Sequence, residues 1–308
     1  MQKEKLLIIG SGPAGYAAAL YTARAALEPM VLTGIEMGGQ ISLTYEVDNY
    51  LGFPEGTTGP ELIEQMKQHV EKFGARQAME EATEVHFPKG GPFRVKTYNE
   101  EYEAESVILA TGAAPRRLEI PGEEEFIGRG VSFCATCDGF FFRDKDVLVV
   151  GGGDSAMEEA IFLTRFAKRV RVVHRRDELR AGEALKREAF ENDKIEFIWN
   201  TVIEEIKGDQ KVESVLAKNV QTGEQTTMET DGVFIFIGHY PNTGLFSGQL
   251  DMDEKGYLKT DKNMMTSVPG VFAGGEVQDS IYRQIATSVG QGSAAGMMAI
   301  KWLRDLWE

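Results

Sequence analysis

The sequence is poor in the residues that staple or metallate a fold. Only two cysteines occur in 308 residues, both in the stretch Cys134-Ala135-Thr136-Cys137-Asp138. The four histidines, His69, His86, His174 and His239, show neither an H-x3-H nor an H-x-x-E-H spacing, so no zinc motif can be assembled around the cysteine pair by spacing. No apolar run reaches the length of a membrane span, and Met1-Gln2-Lys3-Glu4-Lys5 leads into a strand without the apolar core of a signal peptide. The expectation is therefore a cytoplasmic protein. Positive charge is also scarce: the formal net charge of -15 argues against a general role on nucleic acid or anionic lipid, both of which repel an acidic surface. Glu123-Glu124-Glu125 reads as solvated loop charge. What remains, 42% hydrophobic and 26% charged, describes a globular chain long enough for two domains.

The cysteines stand two residues apart. Such a C-x-x-C closes too small a loop to add much stability, and in a cytosolic setting it reads as a redox dithiol. The alternatives are half of a zinc site, which lacks its other ligands, or two core cysteines. Asp138 and Gly139 beside the pair are unusual company for core residues.

Leu6-Leu7-Ile8-Ile9, then Gly10-Ser11-Gly12-Pro13-Ala14-Gly15, then Ala17-Ala18-Ala19-Leu20 predict a strand, a glycine turn and a helix. In a dinucleotide fold the first glycine permits the turn, the second lets backbone N–H groups approach a pyrophosphate, and the third lets the helix lie close on the strand. The next strand, 30–32, ends in Thr33 rather than in the acid that would hold an NAD ribose. The loop from Gly34 to Gln40, with Gly38-Gly39, is flexible enough to fold over a large planar ligand. Further on, Val147-Leu148-Val149-Val150 followed by Gly151-Gly152-Gly153-Asp154-Ser155-Ala156 repeats the pattern, with Gly10, Gly12 and Gly15 mapping onto Gly151, Gly153 and Ala156 without a gap. The strand after this second turn, 170–173, ends in His174-Arg175-Arg176, with Arg180 following. Guanidinium groups where NAD would meet an acid suit a 2′-phosphate, so this second site should prefer NADPH.

Between and beyond these units, Thr58-Gly59-Pro60 predicts a helix start with Leu62, Ile63, Met66 and Val70 on its core face. Residues 83–97 predict a hairpin around 88–92. Ala113-Ala114-Pro115 and 238–242 read as two crossings between domains. After the second crossing, Val271-Phe272-Ala273 runs into Gly274-Gly275-Glu276, and a long helix is predicted over 281–304, returning the chain to its first domain.

Two nucleotide motifs bracketing Cys134-Ala135-Thr136-Cys137-Asp138-Gly139, together with His174-Arg175-Arg176-Asp177, Arg180 and Tyr282-Arg283-Gln284, closely resemble the low-molecular-weight thioredoxin reductases, nearly end to end. The resemblance implies an α/β fold of two Rossmann-like, three-layer domains: an FAD domain over 1–114 and 242–308, and an NADPH domain over 115–241 inserted into it. It implies FAD held by Gly10, Gly12, Pro13, Ala14, Gly15, Thr33, Gly34, Gly39, Gln40, Asn49, Glu276, Arg283, Gln284 and Ile285. NADPH would be held by Gly153, Asp154, Ser155, Ala156, His174, Arg175, Arg176 and Arg180. Cys137 would face the flavin, Cys134 would exchange with thioredoxin, and Asp138 would move the proton. A homodimer and a rotation of the inserted domain about the two crossings are likewise implied. Glu276 departs from the family pattern, which usually has Asp there. Competing readings keep the chemistry but change the partner to another thioredoxin-like protein, change the donor to ferredoxin, or make the chain a flavin redox sensor without turnover.

Overall fold

The computed structural model describes residues 1–44 and 46–308. The chain divides into two compact units, one made of Met1–Ala114 with Tyr240–Glu308, the other of Pro115–His239.

The first unit opens with β1 (Gln2–Ile9), α1 (Pro13–Arg24) and β2 (Met30–Leu32), followed by α2 (Gly59–Lys72), β3 (Arg76–Ala78), β4 (Glu84–His86), β5 (Phe93–Lys96), β6 (Glu101–Leu109) and β7 (Ala113–Pro115). In β1, Leu6 and Ile8 join one apolar cluster while Leu7 and Ile9 join another. A strand buried on both faces reads as an unbroken apolar run, which is how this one appears in the sequence. The predicted α2 is present, with Thr58 and Glu61 forming a reciprocal cap at its start.

The second unit contains β8 (Val131–Ser132), α3 (Ala135–Asp138), β9 (Asp146–Val150), α4 (Asp154–Leu163), β10 (Arg169–Val173), α5 (Glu183–Phe190), β11 (Ile195–Ile198), β12 (Thr201–Gly208), β13 (Val212–Asn219), β14 (Gln225–Glu229) and β15 (Gly232–Ile235). Its parallel sheet has the order β11-β10-β9-β15-β8, and β12-β13-β14 form an antiparallel meander. Val147 and Val149 face α4 and α5, while Leu148 and Val150 face the meander. Glu123, expected as solvated charge, is buried instead: its carboxylate accepts the N–H groups of Leu118 and Glu119 at 3.0 and 2.7 Å. A buried carboxylate is tolerable where backbone donors satisfy it.

After β16 (His239–Pro241), which pairs with β7, the chain returns to the first sheet through β17 (Val271–Ala273) and ends in α6 (Ile285–Trp307). That sheet runs β3-β2-β1-β6-β5-β4 with β17 also on β6. The first part of β6 pairs with hairpin strand β5 and its last residues pair with β17. Helices α1, α2 and α6 cover one face, and the hairpin side carries Phe87, Phe93 and Phe246 on the other. Both units therefore have helices on one face of a parallel sheet and antiparallel strands on the other, as the internal repeat implies.

Helix α6 begins four residues later than expected. Asp279 Oδ1 accepts the N–H groups of Ile281 and Tyr282, and Arg283 adopts φ +49°, so the segment before Gln284 cannot be helical. The glycines that weaken its propensity do not break it. Gly292 is required by contact: a Cβ there would overlap the Ala14 carbonyl, so α6 lies against α1 more closely than any side chain permits.

Candidate functional site

The β1–α1 turn is built by backbone necessity. Gly10 has φ +112° and donates its N–H to Leu32 O, while a Cβ on Gly15 would strike Gly10 O. Pro13 and Ala14 open α1, whose N-cap Gly12 offers no side chain to the first-turn N–H groups. A helix start without a side-chain cap suits an anionic acceptor. Ser11, which the sequence reading passed over, ties this turn to the following loop by donating to Thr33 O at 2.9 Å and accepting from Gly38 N at 3.0 Å. Thr33 itself is buried, its hydroxyl donating to the Gly34 and Ala78 carbonyls. Gly39 and Gln40 start a short 3₁₀ turn on the surface.

The β17–α6 turn meets the same place from the other side. A Cβ on Gly275 would lie 2.8 Å from Ala14 Cβ, which brings Glu276 next to the first turn of α1. Glu276 is half-buried, with Oε2 4.0 Å from where a Cβ on Gly112 would be. Burial pushes its carboxyl up to about 7, with Asp279 adding to the shift and Arg283 opposing it. Asp279 and Gln291 brace the turn: Gln291 Nε2 donates to Asp279 Oδ2 and Gln291 Oε1 accepts from Gly275 N, both at 3.0 Å. Asn49 Nδ2 reaches Gln284 Oε1 at 3.3 Å, so these two predicted residues are also brought together just before Ile285.

The second turn repeats the geometry with one difference. Gly153 caps α4 without a side chain and a Cβ there would meet open space. Ala156 is buried against Gly151, and Ser155 is exposed. Asp154, by contrast, already has a partner: its Oδ1 accepts from Gly182 N at 2.8 Å, and Arg180 N donates to Gly152 O at 2.7 Å. These two bonds fold the segment carrying Arg175, Arg176 and Arg180 back over the helix start, with all three guanidinium side chains exposed. His174 does not share that exposure. Its ring fills the space beside Gly152, edge-on to Trp199, and burial with the nearby Arg180, Arg176 and Arg175 lowers its pKa against a hydrogen bond with the Glu178 backbone.

Cys134 and Cys137 are joined in a disulfide with Cα atoms 5.3 Å apart. The pair sits where β8 ends and the one-turn helix α3 begins, half-buried, with Thr136 exposed. Cys134 Sγ accepts from Cys137 N at 3.2 Å and lies 3.3 Å from Thr136 Oγ1. Ser132 Oγ donates to Asp138 Oδ2 and accepts from Cys134 N at 3.1 Å, and Ala135 N donates to Glu159 Oε2 of α4 at 3.0 Å. Neither Ser132 nor Glu159 carries a signal in the sequence, since a serine in a strand and a glutamate on a helix are commonplace. Exposed Phe140, with Arg143 5.1 Å from its ring and Phe166 packed edge-on, adjoins the turn.

Whether FAD and NADPH suit these residues can be judged from the helix starts. α1 and α4 begin on Gly12 and Gly153 at the two glycine turns, without side-chain caps, as α5 does on Gly182. Uncapped amides at both glycine turns fit two diphosphate groups. Two dinucleotide folds and one redox-active disulfide are the equipment of a flavin-linked disulfide oxidoreductase.

Comparison with known proteins agrees. Residues 4–292 match the family of pyridine nucleotide-disulphide oxidoreductases. A thioredoxin reductase of Peptoclostridium litorale is 49% identical, with 98% of each chain covered. A bifunctional thioredoxin reductase/thioredoxin of Mycobacterium leprae is 48% identical, this chain spanning 66% of it and the match covering 98% of this chain. The crystal structure of thioredoxin reductase from Streptococcus pyogenes superposes with a TM-score of 0.94 at 47% identity, covering 98% of this chain and 99% of that one. The chain belongs to the pyridine nucleotide-disulphide oxidoreductases and, within them, to the low-molecular-weight thioredoxin reductases. Members of that branch contain FAD and depend on NADPH. Among the described residues no helix is long and apolar enough to cross a membrane, and no metal-binding cluster occurs.

Proposed function

We propose that the chain is an NADPH-dependent disulfide reductase acting on thioredoxin, in a cytoplasmic homodimer. The observation that carries this reading is the Cys134–Cys137 disulfide on a turn within the same unit as the uncapped α4 and its arginine cluster. The unit Pro115–His239 is assigned to NADPH and the unit Met1–Ala114 with Tyr240–Glu308 to FAD, the second crossing falling two residues earlier than the sequence places it. FAD would be held by Gly10, Gly12 to Gly15, Thr33, Gly34, Gly39, Gln40, Asn49, Glu276 and Arg283 to Ile285. NADPH would be held by Gly153 to Ala156, with His174 setting the turn from beneath and Arg175, Arg176 and Arg180 meeting the 2′-phosphate. When bound, FAD supplies the means of turning a two-electron donor into a disulfide reductant.

The chain's own residues do the rest. Once the pair is reduced, Cys134 as thiolate attacks one sulfur of the thioredoxin disulfide, forming a mixed disulfide and releasing the other sulfur as a thiolate that takes up a proton. Cys137 then attacks Cys134, restoring the Cys134–Cys137 bond and freeing the second thioredoxin thiol. Cys134 Sγ has the donors for the first role, from Cys137 N–H and the Thr136 hydroxyl. Asp138, held by Ser132, takes and returns the proton at the thiols. Phe140 with Arg143 gives an incoming partner an apolar and basic landing beside the sulfurs. The crossings at 113–115 and 239–242 would serve as the hinges of the inserted unit, a reading supported by the pairing of their short strands β7 and β16.

The test is to purify the protein, record its flavin spectrum, and follow NADPH oxidation with thioredoxin for wild type and Cys134→Ser. Wild-type turnover lost in the serine variant supports the reading. A colourless protein indifferent to NADPH, or a serine variant that still reduces thioredoxin at full rate, overturns it.

A further inference from the structure

Glu159 belongs neither to the sulfur motif nor to the glycine turn, yet its carboxylate takes the first N–H after Cys134, that of Ala135, at 3.0 Å. Bond lengths place that nitrogen within about 5 Å of Cys134 Sγ, so a half-buried carboxylate lies within about 8 Å of the sulfur. At roughly one Debye length and partly screened from solvent, its charge is felt there. The sulfur's other neighbours pull the opposite way, because the Cys137 N–H at 3.2 Å and the Thr136 hydroxyl at 3.3 Å favour a thiolate. Amides at the start of a C-x-x-C turn are the usual support of its first sulfur. Here one of them is engaged by a group that brings a negative charge of its own. Charged side chains near the turn include Asp138 within it, Arg117 with its guanidinium 4.4 Å from the Phe133 ring, and Arg143 over Phe140.

We propose that Glu159 is a positioning residue that also sets the charge at the redox pair, anchoring the start of the turn and restraining the Cys134 thiolate so that the couple stays reducing. This rests on the reading of the chain as a reductase. Reduction of the pair breaks the Sγ–Sγ bond and takes up two electrons and two protons to give two thiols, of which the Cys134 thiol can then ionise. Whatever stabilises that thiolate stabilises the reduced form and makes the couple a stronger oxidant. A donor to thioredoxin needs the reverse, and a carboxylate at this place supplies it.

Glu159→Gln keeps an acceptor for the Ala135 N–H and removes the charge, while Glu159→Ala removes both. The flavin-loaded proteins are equilibrated in dithiothreitol redox buffers at pH 6.5, 7.5 and 8.5 and quenched by alkylation, and each cysteine's state is read by peptide mass. In the glutamine variant the equilibrium moves toward the reduced pair by about tenfold at pH 8.5, equivalent to about 30 mV, and by little at pH 6.5. Cys134 of the reduced variant is alkylated roughly threefold faster at pH 6.5, since a lower thiol pKa raises the thiolate fraction more than it lowers nucleophilicity. Cys137 is unaffected, and the alanine variant shows the same shift with slower turnover. An unchanged equilibrium and unchanged Cys134 reactivity in the glutamine variant overturn the proposal, as does a shift of equal size at all three pH values, which marks a structural change without a charge effect. Failure of the wild type to oxidise NADPH with thioredoxin would overturn the functional reading instead and leave this measurement standing.

Discussion

Ser132 and Asp138 are joined through one buried hydroxyl, which donates to the carboxylate and accepts the Cys134 N–H at 3.1 Å. The end of β8 thereby fixes both the start of the sulfur turn and the acid that closes it. Removing the hydroxyl leaves Asp138 without that donor, and a lost hydrogen bond to a carboxylate favours its protonated form. In Ser132→Ala the acid limb of the pH profile for thioredoxin reduction should move up by about one pH unit, the worth of one such bond. Ser132→Thr should restore it. A limb that stays in place in the alanine variant shows that Ser132 acts only on the backbone.

Arg175 and Arg176 are exposed beside the start of α4, where a 2′-phosphate would make charge-assisted bonds. Losing one such bond costs about 1.5–3 kcal/mol, so Arg176→Ala should raise KM for NADPH by roughly 10- to 100-fold. KM for NADH should change little. Equal losses with both cofactors would show that the cluster does not read the phosphate.

Glu276 makes the flavin-free protein's stability depend on pH in a defined direction. Its ordinary value is 4.5 and burial raises it to about 7 in the folded chain. Between these values the folded form holds a proton that the unfolded form has lost, so the contribution is fully present below 4.5 and disappears as pH rises through about 7. Glu276→Gln has no such proton. Thermal unfolding should find the variant close to wild type at pH 5 and more stable at pH 8 by on the order of 2 kcal/mol.

Gly290 and Gly292 stand two residues apart in α6 and should respond oppositely to alanine. A Cβ at 290 meets open space, and one at 292 meets the Ala14 backbone. Gly290→Ala should gain about 1 kcal/mol of helix propensity. Gly292→Ala should lose about 3 kcal/mol by forcing α1 and α6 apart. Urea unfolding midpoints measure both.

What the chain reveals unaided is whatever is written in local backbone requirements. Gly10, Gly15 and Gly151 are legible because a turn or a close strand-to-helix contact admits little else, and because the same spacing occurs twice. The buried strands are legible because Leu6 to Ile9 and Val147 to Val150 serve both faces of a sheet. Asp279, by contrast, looks like any loop acid, but by capping Ile281 and Tyr282 it delays α6 to Ile285. Glu123 lies in a run of three acids, and only the fold brings the Leu118 and Glu119 amides to it. Ser132 and Glu159 were hidden for the same reason, since their partners are chosen by how β8 and α4 are brought together around the sulfur turn.

Gly152 and His174 occupy a single volume between them, the imidazole standing where any side chain at 152 would project. The two positions are therefore not free to vary independently. A descendant of this chain that enlarges residue 152 must first give up the ring, and in doing so it loosens the base on which the three arginines are carried.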